Sequence, residues 1–298
     1  MSSKEPEIPS FSSPCLSSRW WSKDTVAIVT GANKGIGFAL VKRFAELGLS
    51  VILTARDNGR GLEAVEALVA QGLHVHFFRL DVSDPASIQS FVSWFKDRFS
   101  ALDILVNNAG VSFNEIGENC ATMEHVETVV NTNFYGTKLL TESLLPFFRY
   151  SSSRILNISS RLGLFDQKLK NQKIKEILED EERLSVEQID SIVNLFLQNV
   201  KQGTWKTQGW PEVWTDYAVS KLALNAYSKV LAKRYQGRGL SVNCFCPGFT
   251  QTSMTRGKGT HSADDAAEIG ARVALLPRED LSTGKFYIAR SNVVCSKL

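Results

Sequence analysis

Thr25-Val26-Ala27-Ile28-Val29-Thr30-Gly31-Ala32-Asn33-Lys34-Gly35-Ile36-Gly37 is the stretch that decides the fold. Its first half is a continuous run of apolar and β-branched side chains, as in a strand buried on both faces of a parallel sheet. Its second half is a glycine-rich turn. Beyond the turn Ile36, Leu40, Phe44 and Leu47 recur at helical spacing, and Gly48 ends the helix. Strand, turn and helix in this order make a cradle for a phosphate group. Glycines let the backbone approach without a Cβ in the way, and the helix N-terminus offers free N–H groups and partial positive charge. A glycine turn alone is common; the strand–turn–helix context makes this one specific.

The same alternation continues outward. Strands are expected at residues 50–54, 74–80, 103–106, 154–158, 240–245 and 285–289. Helices are expected at 60–71, from Asp84-Pro85 onward, over a long run at 123–148, and at 216–236. Strands alternating with helices imply an α/β domain with a parallel sheet covered on both faces. Residues 161–214 break the rhythm. Residues 168–183 are mostly charged and read as an exposed helix laced with ion pairs. Ser185 and Gln188 form a capping box, behind which Ile189, Ile192, Val193, Phe196 and Val200 make one apolar stripe that should pack on the domain. The expected organisation is a disordered tail at residues 1–22 and one domain at 23–298, with 161–214 as a helical insertion.

Lys and Arg number 34 against 31 Asp and Glu, a net charge of +3, too weak to imply nucleic acid or an anionic membrane surface as partner. No run of about 18 apolar residues is present to span a bilayer. The Ser- and Pro-rich start lacks the apolar core of a secretory signal; a plastid transit peptide is Ser-rich too, but Glu5 and Glu7 argue against one. Trp20 and Trp21 are expected to pin the tail's end to the domain. Cys15, Cys120, Cys244, Cys246 and Cys295 are odd in number and irregular in spacing, so all read as reduced thiols of a cytoplasmic protein. No metal site is expected: His74 and His76 alternate on a strand without partners.

The second strand ends Leu53-Thr54-Ala55-Arg56-Asp57. A carboxylate at a strand end of this kind accepts the ribose 2′-OH of NAD. Here Arg56 stands first, with Lys34 in the glycine loop, and two cations favour the 2′-phosphate of NADP(H); Asp57, one residue on, is the competing acceptor. Asp81-Val82 follows the third strand, where an adenine would lie. Asn107-Asn108-Ala109-Gly110 follows the fourth, with small residues for close cofactor packing and amides to tie loops together.

Tyr217 and Lys221 lie four apart on a helix and share a face. An ammonium beside a phenol stabilises the phenolate and lowers a pKa ordinarily near 10, as general acid catalysis at neutral pH requires. The pair alone is weak evidence. Ser159-Ser160 ends the fifth strand on the same sheet edge as the glycine loop, where a hydroxyl can donate to a carbonyl oxygen. Asn133 sits within the long helix, a modest helix former that needs either a surface position or a reason to be buried.

TGANKGIG, NNAG, NTNFYG, NISS, YAVSK and PGFTQT occur in the order and places found in the short-chain dehydrogenase/reductase family, over about residues 24–290. The resemblance implies a Rossmann-type doubly wound fold and an oxidoreductase. By it, Tyr217 resembles the general acid, and Lys221 the residue that holds the nicotinamide ribose and tunes the phenol. Ser160 would orient the substrate carbonyl, and Asn133 would support a water chain to Lys221. Gly31, Asn33, Lys34, Gly35, Ile36, Gly37, Arg56, Asp81, Val82, Asn108, Ala109 and Gly110 would hold the cofactor, with Pro247, Gly248 and Thr252 closing over its nicotinamide end. Hydride would come from the 4-pro-S face. The long insertion between Ser160 and Tyr217 resembles the monomeric carbonyl reductases and the plant menthone and salutaridine reductases, which implies a monomer and NADPH. Relatives that reduce an activated C=C bond have lost the Tyr, which this chain keeps.

The expected activity is therefore NADPH-dependent reduction of a ketone or aldehyde on a hydrophobic small molecule. Phe113, Trp205, Trp210, Trp214, Phe249 and Met254 fall near the expected site, and Phe113, Trp214, Phe249, Met254 and Ser160 are the candidate substrate contacts. Three other readings stand beside it: alcohol oxidation with NADP⁺, C=C reduction, and a non-catalytic NADPH-binding regulator.

Overall fold

The computed structural model describes residues 19–113, 122–165, 169–277 and 282–289. The proposed tail up to residue 18, with Glu5, Glu7 and Cys15, lies outside them, as do Cys120, Lys168 and Cys295.

Seven parallel strands form the sheet: β1 Val26–Val29, β2 Ser50–Ala55, β3 His76–Arg79, β4 Ile104–Asn107, β5 Ser153–Ile158, β6 Leu240–Cys246 and β7 Phe286–Ile288. Their order is β3-β2-β1-β4-β5-β6-β7. The chain builds outward from β1 in one direction and then crosses back to β4 to build in the other. The loops after β1 and β4 therefore diverge and leave a crevice at the carboxyl edge, where open α/β sheets bind ligands.

Alternate strand residues feed two cores. Ala27, Val29, Val51, Leu53, Ile104 and Val106 face α1 (Gly35–Glu46), α2 (Asn58–Val69) and α9 (Ala263–Ala274). Val26, Ile28, Ile52 and Leu105 face α3 (Pro85–Arg98), α4 (Met123–Val130), α5 (Thr137–Leu144), α7 (Val186–Lys201) and α8 (Thr215–Arg234). Asp57 and Asp84 cap α2 and α3, and the Ser185–Gln188 capping box opens α7 as expected. α8 is buried on most sides because the sheet lies under it while α4 and α7 pack against it. Trp20 does tie the start of the domain down: its indole N–H donates to Leu275 O, and the Arg154 guanidinium stacks 3.9 Å from its ring centroid. No helix among the described residues is long and apolar enough to cross a membrane.

Three expectations change. The long helix is not continuous: a π-helical turn at Asn131–Gly136 separates α4 from α5. The apolar period continues on both sides of it, so the wider turn is invisible in the pattern. Gly136 permits it, since a Cβ there would lie 2.0 Å from Val82 O. Second, the described residues of this stretch, 169–183, hold a short helix, α6 (Gln172–Glu179), which buries Ile174 and Leu178. Most of its neighbourhood's ion pairs reach other elements, as in Lys229–Glu181, Lys233–Glu182 and Lys170–Glu212. Third, Trp205 and Trp210 do not line the site.

Trp210 is fully buried, edge-on to Phe196 at 5.1 Å between centroids, and its indole donates to Asn199 Oδ1 at 2.9 Å. It joins α7 to the segment leading into α8. Trp210→Ala is expected to cost about 3–5 kcal/mol, as large aromatic truncations in cores do. Urea unfolding followed by circular dichroism checks this; a loss under about 1 kcal/mol would contradict the anchoring role.

Candidate functional site

A cleft of about 1020 Å³ runs along the carboxyl edge, walled by the loops after β1 to β6 and the start of α8. Gly31 (φ +61°) and Gly35 (φ +57°) take left-handed conformations that a side chain would strain. Asn33, Lys34, Gly35 and Ile36 face the cleft, and no side chain caps α1. Its first-turn N–H groups are left open to an anion. Gly37, expected with them, is not in the cleft wall. A Cβ there would meet Asn108 Nδ2 at 2.4 Å and Ala32 Cα at 2.9 Å, so its place in the motif is close packing beneath the turn.

The β4 loop is locked to this turn. The Asn108 amide donates to Thr30 O and Gly31 O, while the Asn108 and Ala109 N–H groups donate to Thr30 Oγ1. Asn107 serves the sheet, donating to Thr141 Oγ1 and Asn157 Oδ1. Arg56, Asp81, Val82, Asn108, Ala109 and Gly110 all line the cleft. Asp57 does not: its carboxylate accepts from Arg60 N as the cap of α2. Lys34 and Arg56 thus line the cleft without that competing acid. Open helix N–H groups, left-handed glycines and two cations form a donor set that fits a dinucleotide bearing a 2′-phosphate.

Tyr217 and Lys221 both face the cleft from the first turns of α8, with Lys221 Nζ 5.5 Å from the phenol ring centroid. Lys221 is buried and donates to Ile158 O at 2.9 Å. Gly163 allows the following 3-10 turn to close on this helix; a Cβ there would lie 2.4 Å from the Lys221 carbonyl carbon. Asn133 is fully buried rather than on the surface. From the π-turn it donates to Val111 O and Ser220 Oγ and accepts from Val111 N, which ties the β4 loop to α8. A Cβ on Gly110 would lie 3.2 Å from Asn133 Oδ1 and 3.7 Å from Lys221 Nζ.

Of the two serines after β5, Ser159 donates to Asn225 Oδ1 and is buried. Ser160 Oγ accepts from Leu162 N at 3.1 Å, which leaves its own proton free for a group in the cleft. Trp214 precedes α8 in a left-handed conformation (φ +50°) and meets the Tyr217 ring edge-on at 5.8 Å. Such backbone in a non-glycine residue persists only where its surroundings fix it. Phe113, Trp214, Phe249 and Met254 line the cleft, as do Pro247, Gly248 and Thr252.

Electrostatics depart from the sequence expectation in one respect. Burial, with Cys246 as a lesser contributor, raises the Tyr217 phenol above its ordinary value, so the phenol holds its proton at neutral pH. Burial lowers Lys221 to about 8. Desolvation is the larger cause of both shifts.

Sequence reasoning missed Arg161, Leu162, Val213, Ser112 and Cys246 as cleft residues. The available signal was position: Ser112, Arg161 and Cys246 all sit at or just past the carboxyl ends of β4, β5 and β6.

The family profile described as short chain dehydrogenase matches residues 25–171 and 206–265. (+)-Neomenthol dehydrogenase of Arabidopsis thaliana is 39% identical over 285 residues, covering 88% of this chain and 95% of that one. Carbonyl reductase [NADPH] 1 of Mus musculus is 35% identical over 260 residues, covering 85% and 91%. The structure of salutaridine reductase from Papaver somniferum superposes with a TM-score of 0.82 at 37% identity, covering 88% of this chain and 99% of that one.

Proposed function

The chain belongs to the short-chain dehydrogenase/reductase family, and on that premise we propose that it reduces a ketone or aldehyde to an alcohol with NADPH. The observation that carries this reading is the convergence of Tyr217, Lys221 and Ser160 on one cleft whose other end bears the glycine turn, Lys34 and Arg56. NADPH, when bound, supplies the hydride.

The chain's own residues do the rest. Ser160 donates its free hydroxyl proton to the carbonyl oxygen and fixes its position. Tyr217 hands its proton to that oxygen as charge develops there. Lys221, as an ammonium, stabilises the phenolate left behind. Asn133 holds the β4 loop against α8 and so keeps Lys221 and Gly110 in register. Phe113, Trp214, Phe249 and Met254 surround an apolar substrate and exclude water.

The pH dependence follows from Lys221. It is charged below about 8 and neutral above. Reduction is therefore expected to be level near neutrality and to fall as pH rises through about 8. Stability should move the other way. The unfolded chain holds this proton more tightly, so burying the ammonium costs stability at neutral pH and that cost is relieved above about 8. Initial rates and thermal midpoints measured across the same pH range check both signs; rates that rise through this range would contradict the role of Lys221.

α7 packs over α8 and α4, which supports the monomer that the insertion's resemblance to the monomeric carbonyl reductases implies. The buried free thiols Cys244 and Cys246 fit a reducing compartment, the cytoplasm. The test of reaction type is an α,β-unsaturated ketone with product identification by NMR. The allylic alcohol is expected; the saturated ketone as sole product would overturn the reading.

A further inference from the structure

A cleft that receives a plain apolar ketone needs polar groups only at the reacting oxygen. This one also presents Arg161 and Ser112. Arg161 follows Ser160 directly, lines the cleft and is exposed. Among the described residues no carboxylate pairs with its guanidinium, while its backbone N–H donates to Cys246 Sγ and its carbonyl accepts from Leu164 N. Ser112 lines the same cleft, and among the described residues its buried Oγ has no hydrogen-bond partner. The two arrive from the loops after β5 and β4, which are neighbours in the sheet. Leu162, Leu164, Val213, Trp214, Phe249 and Met254 are among the apolar residues that line the same cleft.

The other charged residues of the cleft belong elsewhere. Lys34, Arg56 and Asp81 follow β1, β2 and β3 at the glycine-turn end, and Lys221 lies under Tyr217. Arg161 is thus a cation at the substrate end with no part in holding a dinucleotide. A buried hydroxyl without a partner is unfavourable until something pairs with it. A guanidinium beside apolar walls interacts more strongly with an anion than it would in open water, and its planar fork matches a carboxylate in particular.

We propose that the substrate is an oxo-acid: an apolar body with the reducible carbonyl at Ser160 and Tyr217 and a carboxylate held by Arg161 and Ser112. This rests on the reading of the cleft as a carbonyl-reducing site. Because Arg161 adjoins Ser160 in the chain, an acid with its carboxylate a short chain away from the reducible carbonyl is the substrate to test first. Arg161 is then the specificity-determining residue, acting on substrate capture and hence on KM more than on kcat.

The test uses the whole protein with NADPH and a matched pair, 4-oxo-4-phenylbutanoate and its methyl ester, with a neutral aromatic diketone alongside. The wild type is expected to favour the acid over the ester by about tenfold in kcat/KM, chiefly through KM, as one charge-assisted pair would give. In Arg161→Gln that ratio should fall to near one, and in Arg161→Lys it should recover in part. Raising the salt concentration should shrink the wild-type ratio, because the guanidinium is exposed. If the diketone is reduced while the wild type shows no preference for the acid, or if the preference survives in Arg161→Gln, the oxo-acid proposal is overturned and the reductase reading stands. If no carbonyl compound is reduced, the reductase reading fails and takes the proposal with it.

Discussion

Tyr217→Phe is expected to lower kcat for carbonyl reduction by at least roughly 100-fold, the usual contribution of a positioned general acid. The substitution isolates the proton. Within the described residues the Tyr217 hydroxyl makes no hydrogen bond, so its removal orphans no partner; the ring keeps its edge-on contact with Trp214. NADPH affinity and the unfolding midpoint should therefore stay close to wild type. Burial keeps the phenol protonated at neutral pH, the form a reductase needs before each turnover. Steady-state rates with one ketone, together with NADPH titration by fluorescence, check this. A variant that turns over like wild type would remove Tyr217 from the chemistry.

Arg56→Glu should produce the second large effect, on cofactor choice. A charged contact to phosphate contributes about 1.5–3 kcal/mol, so NADPH affinity should drop by roughly 10- to 100-fold. NADH, lacking the 2′-phosphate, should lose little or gain, because the new carboxylate can accept from its free ribose hydroxyl. Asp57 does not blur the comparison, since its carboxylate is held by Arg60 N at the start of α2. Paired titrations of both nucleotides decide the matter: an equal loss for both would mean that Arg56 supports the loop rather than reads the phosphate.

Much of this was legible in residues 25–37 and their repeats. A buried parallel strand, a glycine turn and an amphipathic helix each leave a local signature, and their order fixes the sheet edge where a site must form. What escaped the sequence was non-local or sub-periodic. The π-turn at Asn131–Gly136 shifts the helix by less than the apolar pattern can register, yet it is what brings Asn133 inward to Val111 and Ser220. Trp205 and Trp210 could not be told from Trp214 by spacing, because all three lie in the same irregular stretch. The backbone decides: Trp214 turns out through a left-handed conformation, while Trp210 turns in onto Phe196. Gly37 shows that a motif residue can serve packing rather than ligand contact. The sequence offers the cationic neighbour of Tyr217 but not the burial that raises its phenol. Arg161 and Ser112 carry no motif at all; only a shared cleft makes them a pair.

The most direct test of the account is the initial rate of NADPH oxidation by the purified protein against a panel of ketones, aldehydes, quinones and oxo-acids, with NADH in parallel and the products identified. The account predicts NADPH-dependent formation of the alcohol, with NADH markedly poorer. Tight NADPH binding with no carbonyl compound reduced would contradict it and favour a protein that senses the nucleotide without turning it over.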